Sequence, residues 1–71
     1  MLRRPLTSST LISAGYDDHK KILELQFISG EIYHYFGVPP EIYVGLINAS
    51  SHGQYFNIYI RDAGYEFEKV T

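Results

Sequence analysis

Cysteine is missing from this chain, and no set of its three histidines and eight carboxylates has the spacing of a metal site. Neither disulfides nor a structural zinc can therefore staple the fold. A chain without thiols also fits a reducing compartment, and a cytoplasmic location is expected. Long hydrophobic runs are missing too. The apolar stretches are far too short to cross a membrane. Met1 to Thr10 carries Arg3 and Arg4 with no apolar run behind them, so no signal peptide is expected. Positive charge is scarce: six Lys and Arg stand against eight Asp and Glu, for a formal net charge of −2. With Arg3 and Arg4 set aside in a terminal segment, only Lys20, Lys21, Arg61 and Lys69 remain to face the acids. A broad basic footprint of the kind that drives non-specific nucleic-acid binding is absent.

What is present in quantity is aromatic surface. Seven Tyr and four Phe occur among 71 residues. A chain of this length makes one domain at most and sits near the lower limit for a self-sufficient core. Large aromatic side chains are the means to fill it, with dimerisation as the remaining remedy. The expected state is a monomer or weak homodimer. Residues 1–7 read as a flexible tail, and residues 8–71 as a single domain.

Thr10 to Tyr16 reads as a first strand, with Ile12, Ala14 and Tyr16 alternating onto one face. Asp17-Asp18-His19 is a polar turn. Residues 21–27 give the clearest strand, with Leu23, Leu25 and Phe27 on one side and Glu24 and Gln26 on the other. Ile32 to Phe36 follows as a third. A two-residue loop at Ser29-Gly30 would turn His34 to the core. A three-residue loop with Gly30 left-handed would instead pair Leu25 with Tyr33 and Leu23 with Tyr35. The second register is preferred because it buries two aromatics and exposes the imidazole; a slip of one residue would invert both choices.

Pro39-Pro40 suits a helix start, and Glu41 lies in the first turn where the dipole favours a carboxylate. Ile42, Tyr43, Leu46 and Ile47 continue an amphipathic helix to about Ser50. Residues 54–61 are ambiguous: helical spacing groups Phe56, Tyr59 and Ile60, whereas strand alternation groups Phe56, Ile58 and Ile60. Propensity alone favours a strand. Residues 65–70 alternate Tyr65 and Phe67 against Glu66 and Glu68, as a last strand would. The order expected is β-β-β-α-α-β, an α+β fold in which an antiparallel meander packs against one or two helices.

An ordered series of residues carries a family resemblance. It runs Ser8-Ser9, Ile12, Tyr16-Asp17, Leu23 to Phe27, Gly30, Tyr33-His34-Tyr35, Val38-Pro39, Tyr43, Leu46 and Ala49. It closes on Ser51-x-Gly53-x-Tyr55-Phe56-Asn57-x-x-Ile60-Arg61. Over residues 8–70 the chain resembles the KTSC domain, named for the C-terminus of some lysyl-tRNA synthetases. The resemblance implies a short helix over 54–61 and a small stand-alone protein of bacterial or phage type. It also implies RNA as a candidate partner, by analogy of context.

The chemistry the residues suggest is binding. Tyr33 and Tyr35 offer a stacking platform for bases, with the plainer alternative that they are cross-strand packing residues. Asn57 and Arg61, four apart, would share a helical face. With His52 and Tyr55 they would form a polar patch for a phosphate or a peptide carboxylate, a role that suits Arg. The plainer alternative is an Arg bonded locally at a helix end. Ser50-Ser51-His52-Gly53 holds hydroxyls beside an imidazole, but neither a third orienting group nor an oxyanion site is identifiable. A small hydrolase is therefore the remote reading. The leading expectation is a non-catalytic module that binds protein or peptide, with RNA second. No cofactor, metal or membrane partner is expected.

Overall fold

The computed structural model covers residues 1–71. Its elements are β1 (Arg3–Pro5), β2 (Leu11–Asp17), β3 (Ile22–Phe27), β4 (Ile32–Phe36), α1 (Pro40–Asn48), α2 (His52–Phe56), a π-helical turn (Asn57–Arg61) and β5 (Phe67–Lys69). The strands form one antiparallel sheet in the order β1-β2-β3-β4-β5. This is the α+β meander with helices that the sequence implied, with one strand more before the helices.

The extra strand lies in the segment read as a flexible tail. Arg3–Pro5 has no apolar alternation to announce it. It pairs with β2 at Gly15, Ala14 and Ser13, and Gly15 makes the approach possible: a Cβ there would stand 2.6 Å from the Leu2 carbonyl oxygen. In β2 itself the expected inward set is corrected at one position. The register shifts between Leu11 and Ser13, a bulge that re-aims side chains. Leu11 is thereby buried beside Ala14, while Ile12 is turned to solvent.

The β3–β4 hairpin adopts the preferred register. Leu23 pairs with Tyr35, Leu25 with Tyr33 and Glu24 with His34. Gly30 has φ +96°, a left-handed conformation that glycine supplies without steric cost. In the β2–β3 turn the Asp17 carboxylate accepts from the backbone N–H groups of His19 and Lys20 at 3.0 and 3.1 Å. Those donors, Lys20 first, hold the Asp17 carboxyl below its usual range.

α1 begins with Pro40 at its first turn. α2 is capped by Ser51, whose Oγ accepts from the Gln54 N–H at 3.3 Å. Residues 54–61 are helical, and the helix widens at its end: the Asp62 N–H donates to the Asn57 carbonyl five residues back at 3.1 Å. Phe56 and Ile60 reach the core, whereas Tyr59 turns outward and packs on Tyr55 with ring centroids 4.6 Å apart. The core joins Leu11, Ala14, Leu23, Leu25 and Tyr35 of the sheet to Val38, Leu46, Phe56 and Ile60. No helix is long and apolar enough to cross a membrane.

Candidate functional site

The helices do not cover the whole inner face of the sheet. Toward β4 and β5 the face stays open, and five aromatic side chains frame a cleft of about 340 Å³. Phe27 comes from the end of β3, Tyr33 and Tyr35 from β4, Phe67 from β5 and Phe56 from α2. Period-two alternation places Tyr33 and Tyr35 on this face, and antiparallel pairing sets Phe67 opposite Tyr35. The rings touch in tilted and edge-on arrangements. Tyr33, Tyr35 and Phe67 form a triangle with centroids 5.6–6.4 Å apart. Phe56 closes the floor edge-on to Phe27 and Tyr35 at 5.2 and 6.0 Å.

Depth differs within this group. Tyr35 is buried, and desolvation, aided by Tyr33, pushes its phenol up to about 12. Tyr33 is half-buried. Phe67 leaves 62% of its surface exposed, which is unusual for a Phe seated on a sheet and marks the mouth of the cleft. Arg61 contributes a guanidinium at the rim. Its Nε–H donates to the neighbouring Asp62 carboxylate at 3.1 Å, and the other N–H groups point to no protein acceptor. Across the rim Glu31 holds the Lys69 ammonium at 2.9 Å. This pairing lowers the Glu31 carboxyl and raises the Lys69 amine from their ordinary ranges.

A second cleft of about 340 Å³ is lined by no hydrophobic residue. Residues 7–10 meet residues 50–54 there, together with Asn57. Much of its polar equipment is already committed. Ser8 Oγ accepts from the Thr10 and Leu11 N–H groups at 3.0 and 3.3 Å, and Ser51 caps α2. His52 Nδ1 lies 2.7 Å from the Leu46 carbonyl, so this nitrogen carries the proton and ties α2 to the end of α1. None of the nearby serine or threonine hydroxyls is within hydrogen-bonding distance of the ring, and no nucleophile–base pair is formed.

The residues singled out from the sequence therefore divide. Tyr33, Tyr35 and Arg61 come together in the aromatic cleft. His52 and Asn57 line the hydroxyl cleft. Asn57 and Arg61 nonetheless line different clefts, Asn57 from the start of the π-helical turn and Arg61 from its end. Tyr55 packs beneath α1 against Gly45, where desolvation, with smaller contributions from Tyr59 and Tyr65, raises its phenol. The walls that sequence reasoning missed are Phe27, Phe56 and Phe67. The alternation of Tyr65 and Phe67 was the one available signal, but it does not say that the helices stop short of β5.

The outer face of the sheet carries a polar row. Arg3, Gly15, Glu24, His34 and Glu68 stand opposite one another across the five strands. Glu24 accepts from His34 Nε2 at 2.8 Å and faces Arg3 Nη1 at 3.5 Å. Arg3 reaches over the bare backbone of Gly15 to do so.

The model of the KTSC domain matches residues 7–65 of this chain. A protein of Stutzerimonas stutzeri, itself described as uncharacterized, is 41% identical over 70 residues, covering 99% of both chains. A lysine–tRNA ligase of Nostoc punctiforme is 36% identical over 63 residues, which span 89% of this chain and 11% of the ligase. The crystal structure of a KTSC domain protein from Yersinia pestis superposes with a TM-score of 0.93 at 33% identity, covering 99% of this chain and 97% of that one.

Proposed function

This chain belongs to the KTSC domain family, and on that premise we propose that it is a non-catalytic binding module whose aromatic cleft takes a segment of a partner protein. The observation that carries this reading is the open cleft between Phe56 and Phe67, with Arg61 at its rim. Tyr, Phe and Arg are the residues in which interface energy concentrates. A pocket floored by packed aromatics desolvates an apolar anchor, and the rim guanidinium orients the partner's carbonyl or carboxylate groups. The His52 ring, tied to the Leu46 carbonyl and unpaired with a nucleophile, favours binding over hydrolysis.

Panning a random peptide library on the full chain tests this, with Phe67→Ala as the counter-selected target. Enriched peptides that bind the wild type and not the variant support the reading. Enriched peptides indifferent to Phe67→Ala place recognition elsewhere and overturn it.

A second reading has one specific observation in its favour: relatives of this chain form part of lysine–tRNA ligases, and single-stranded bases stack on aromatic platforms like that of Tyr33 and Tyr35. Against it, Arg61 is the one cation lining the cleft, and Lys69 nearby is held by Glu31. Amide shifts at Tyr33, Tyr35 and Arg61 on adding short single-stranded RNA, fading with salt, would favour RNA. Unmoved amides at low salt would remove it.

A further inference from the structure

We infer that the partner segment binds as an added strand on the free edge of β5, carrying cationic side chains on either side of one apolar residue. This deepens the reading of the cleft as a peptide site and rests on it. In the β4–β5 ladder the Phe36 N–H donates to Glu66 and the Val70 N–H donates to Ile32, each at 2.8–2.9 Å. Alternation along an antiparallel pair then turns Glu66, Glu68 and Val70 toward β4. The N–H and C=O groups of Phe67 and Lys69 are left facing away from the sheet. An unpaired strand edge of this kind is a template for another strand.

The opposite edge is not equivalent. β1 ends in Pro5, which lacks an N–H to donate.

Side-chain chemistry on β5 specifies what the added strand carries. Phe67 shares the inner face with Tyr35 and lies at the mouth of the cleft. A residue paired with Phe67 sends its side chain into the aromatic pocket. Glu68 shares the outer face with His34, and Glu66, two residues away, lies on the same side. Both glutamates are exposed and neither has a salt-bridge partner within 4 Å, whereas Glu31 and Glu24 do. Residues paired with Glu66 and Glu68 therefore gain from being Lys or Arg, since opposite charges directly across a sheet attract and like charges repel. The same two carboxylates disfavour a second copy of this chain at the edge, because β5 against β5 brings glutamates together in every register that pairs the strands centrally.

The test uses the full chain and a blocked synthetic peptide in which Lys-Phe-Lys is flanked by Thr and Ser on each side. Controls are the same peptide with both lysines replaced by Glu, and one with its central residue N-methylated. Amide shifts and hydrogen exchange are read by NMR. Strand addition predicts that the peptide protects the Phe67 and Lys69 amides from exchange. Affinity then falls about tenfold or more on N-methylation, about 1.4 kcal/mol or more, as expected when a backbone group is left unsatisfied. It falls again in the doubly charge-reversed Glu66→Lys, Glu68→Lys protein, which in turn gains affinity for the glutamate peptide. If the cleft residues shift while the Phe67 and Lys69 amides gain no protection and N-methylation is without effect, strand addition is overturned and the cleft remains a peptide site. No binding at millimolar peptide also overturns it, whatever the library selects.

Discussion

Gly45 of α1 lies directly against the phenol of Tyr55 in α2, with no room for a methyl group between them. Ala is the better helix former by about 1 kcal/mol, so helix propensity alone makes Gly45→Ala stabilising. Overpacking at such a contact costs about 1–3 kcal/mol, and Tyr55 is hemmed in by Tyr59 behind it. The contact wins: Gly45→Ala is expected to lower stability by about 1 kcal/mol. The same change in a Tyr55→Ala background is expected to be neutral or stabilising. A double-mutant cycle from denaturant melts measures the difference.

Gly15 makes the corresponding contact with backbone rather than a side chain, because its Cβ would meet the Leu2 carbonyl. The carbonyl cannot swing aside without moving β1. Gly15→Ala should therefore detach β1 and loosen Arg3 from Glu24, while β2, β3 and β4 keep their pairing. Hydrogen exchange checks this: the amides bonded between β1 and β2 lose protection and those of the β3–β4 hairpin do not.

The Tyr35 phenol is held at about 12 against an ordinary value of 10.0, first by burial and then by Tyr33. In the unfolded chain the proton leaves near the ordinary value. Between the two values the folded state holds more protons than the unfolded state, so stability falls as pH rises. Its contribution is intact below about pH 10 and is lost through about pH 12. Tyr35→Phe should flatten this alkaline slope in a series of thermal melts. Some slope remains, since burial raises Tyr16 and Tyr55 in the same direction.

Phe67 separates stability from binding. More than half exposed, it contributes to the fold mainly through its ring contacts with Tyr33 and Tyr35. Phe67→Ala should cost about 1 kcal/mol of stability or less. A central interface anchor typically costs about 2 kcal/mol or more on truncation, or about thirtyfold in affinity. Melts and peptide titrations on the same variant give both numbers, and equal losses in the two would argue against an anchor at this position.

The parts of this protein legible in its sequence are those fixed by near neighbours. Alternation in residues 21–27 named the inward face of β3, and the gain from burying Tyr33 and Tyr35 chose between the two hairpin loops that Gly30 allowed. Pro40 marked a helix start through local hydrogen-bond requirements, whereas the Ser51 cap of α2 came only from the structure. Residues 54–61 were not legible from the residues alone. Their β-branched and aromatic content favours a strand, and packing of Phe56 and Ile60 into the core overrides that preference.

By itself the sequence determined the β2–β3–β4 meander, the register of its β3–β4 hairpin and its aromatic character, because side-chain period and turn chemistry act over a few residues. Three features needed the tertiary structure. β1 exists because Gly15 leaves space for a neighbour that local pattern does not reveal. Ile12 faces solvent because a bulge absorbs one residue of β2. The cleft exists because two short helices cover only part of the sheet, leaving Phe67 open beside Tyr33 and Tyr35 while the π-helical turn delivers Arg61 to the rim. Burial of a given side chain depends on which distant surfaces arrive over it, and that is settled only when the whole chain packs.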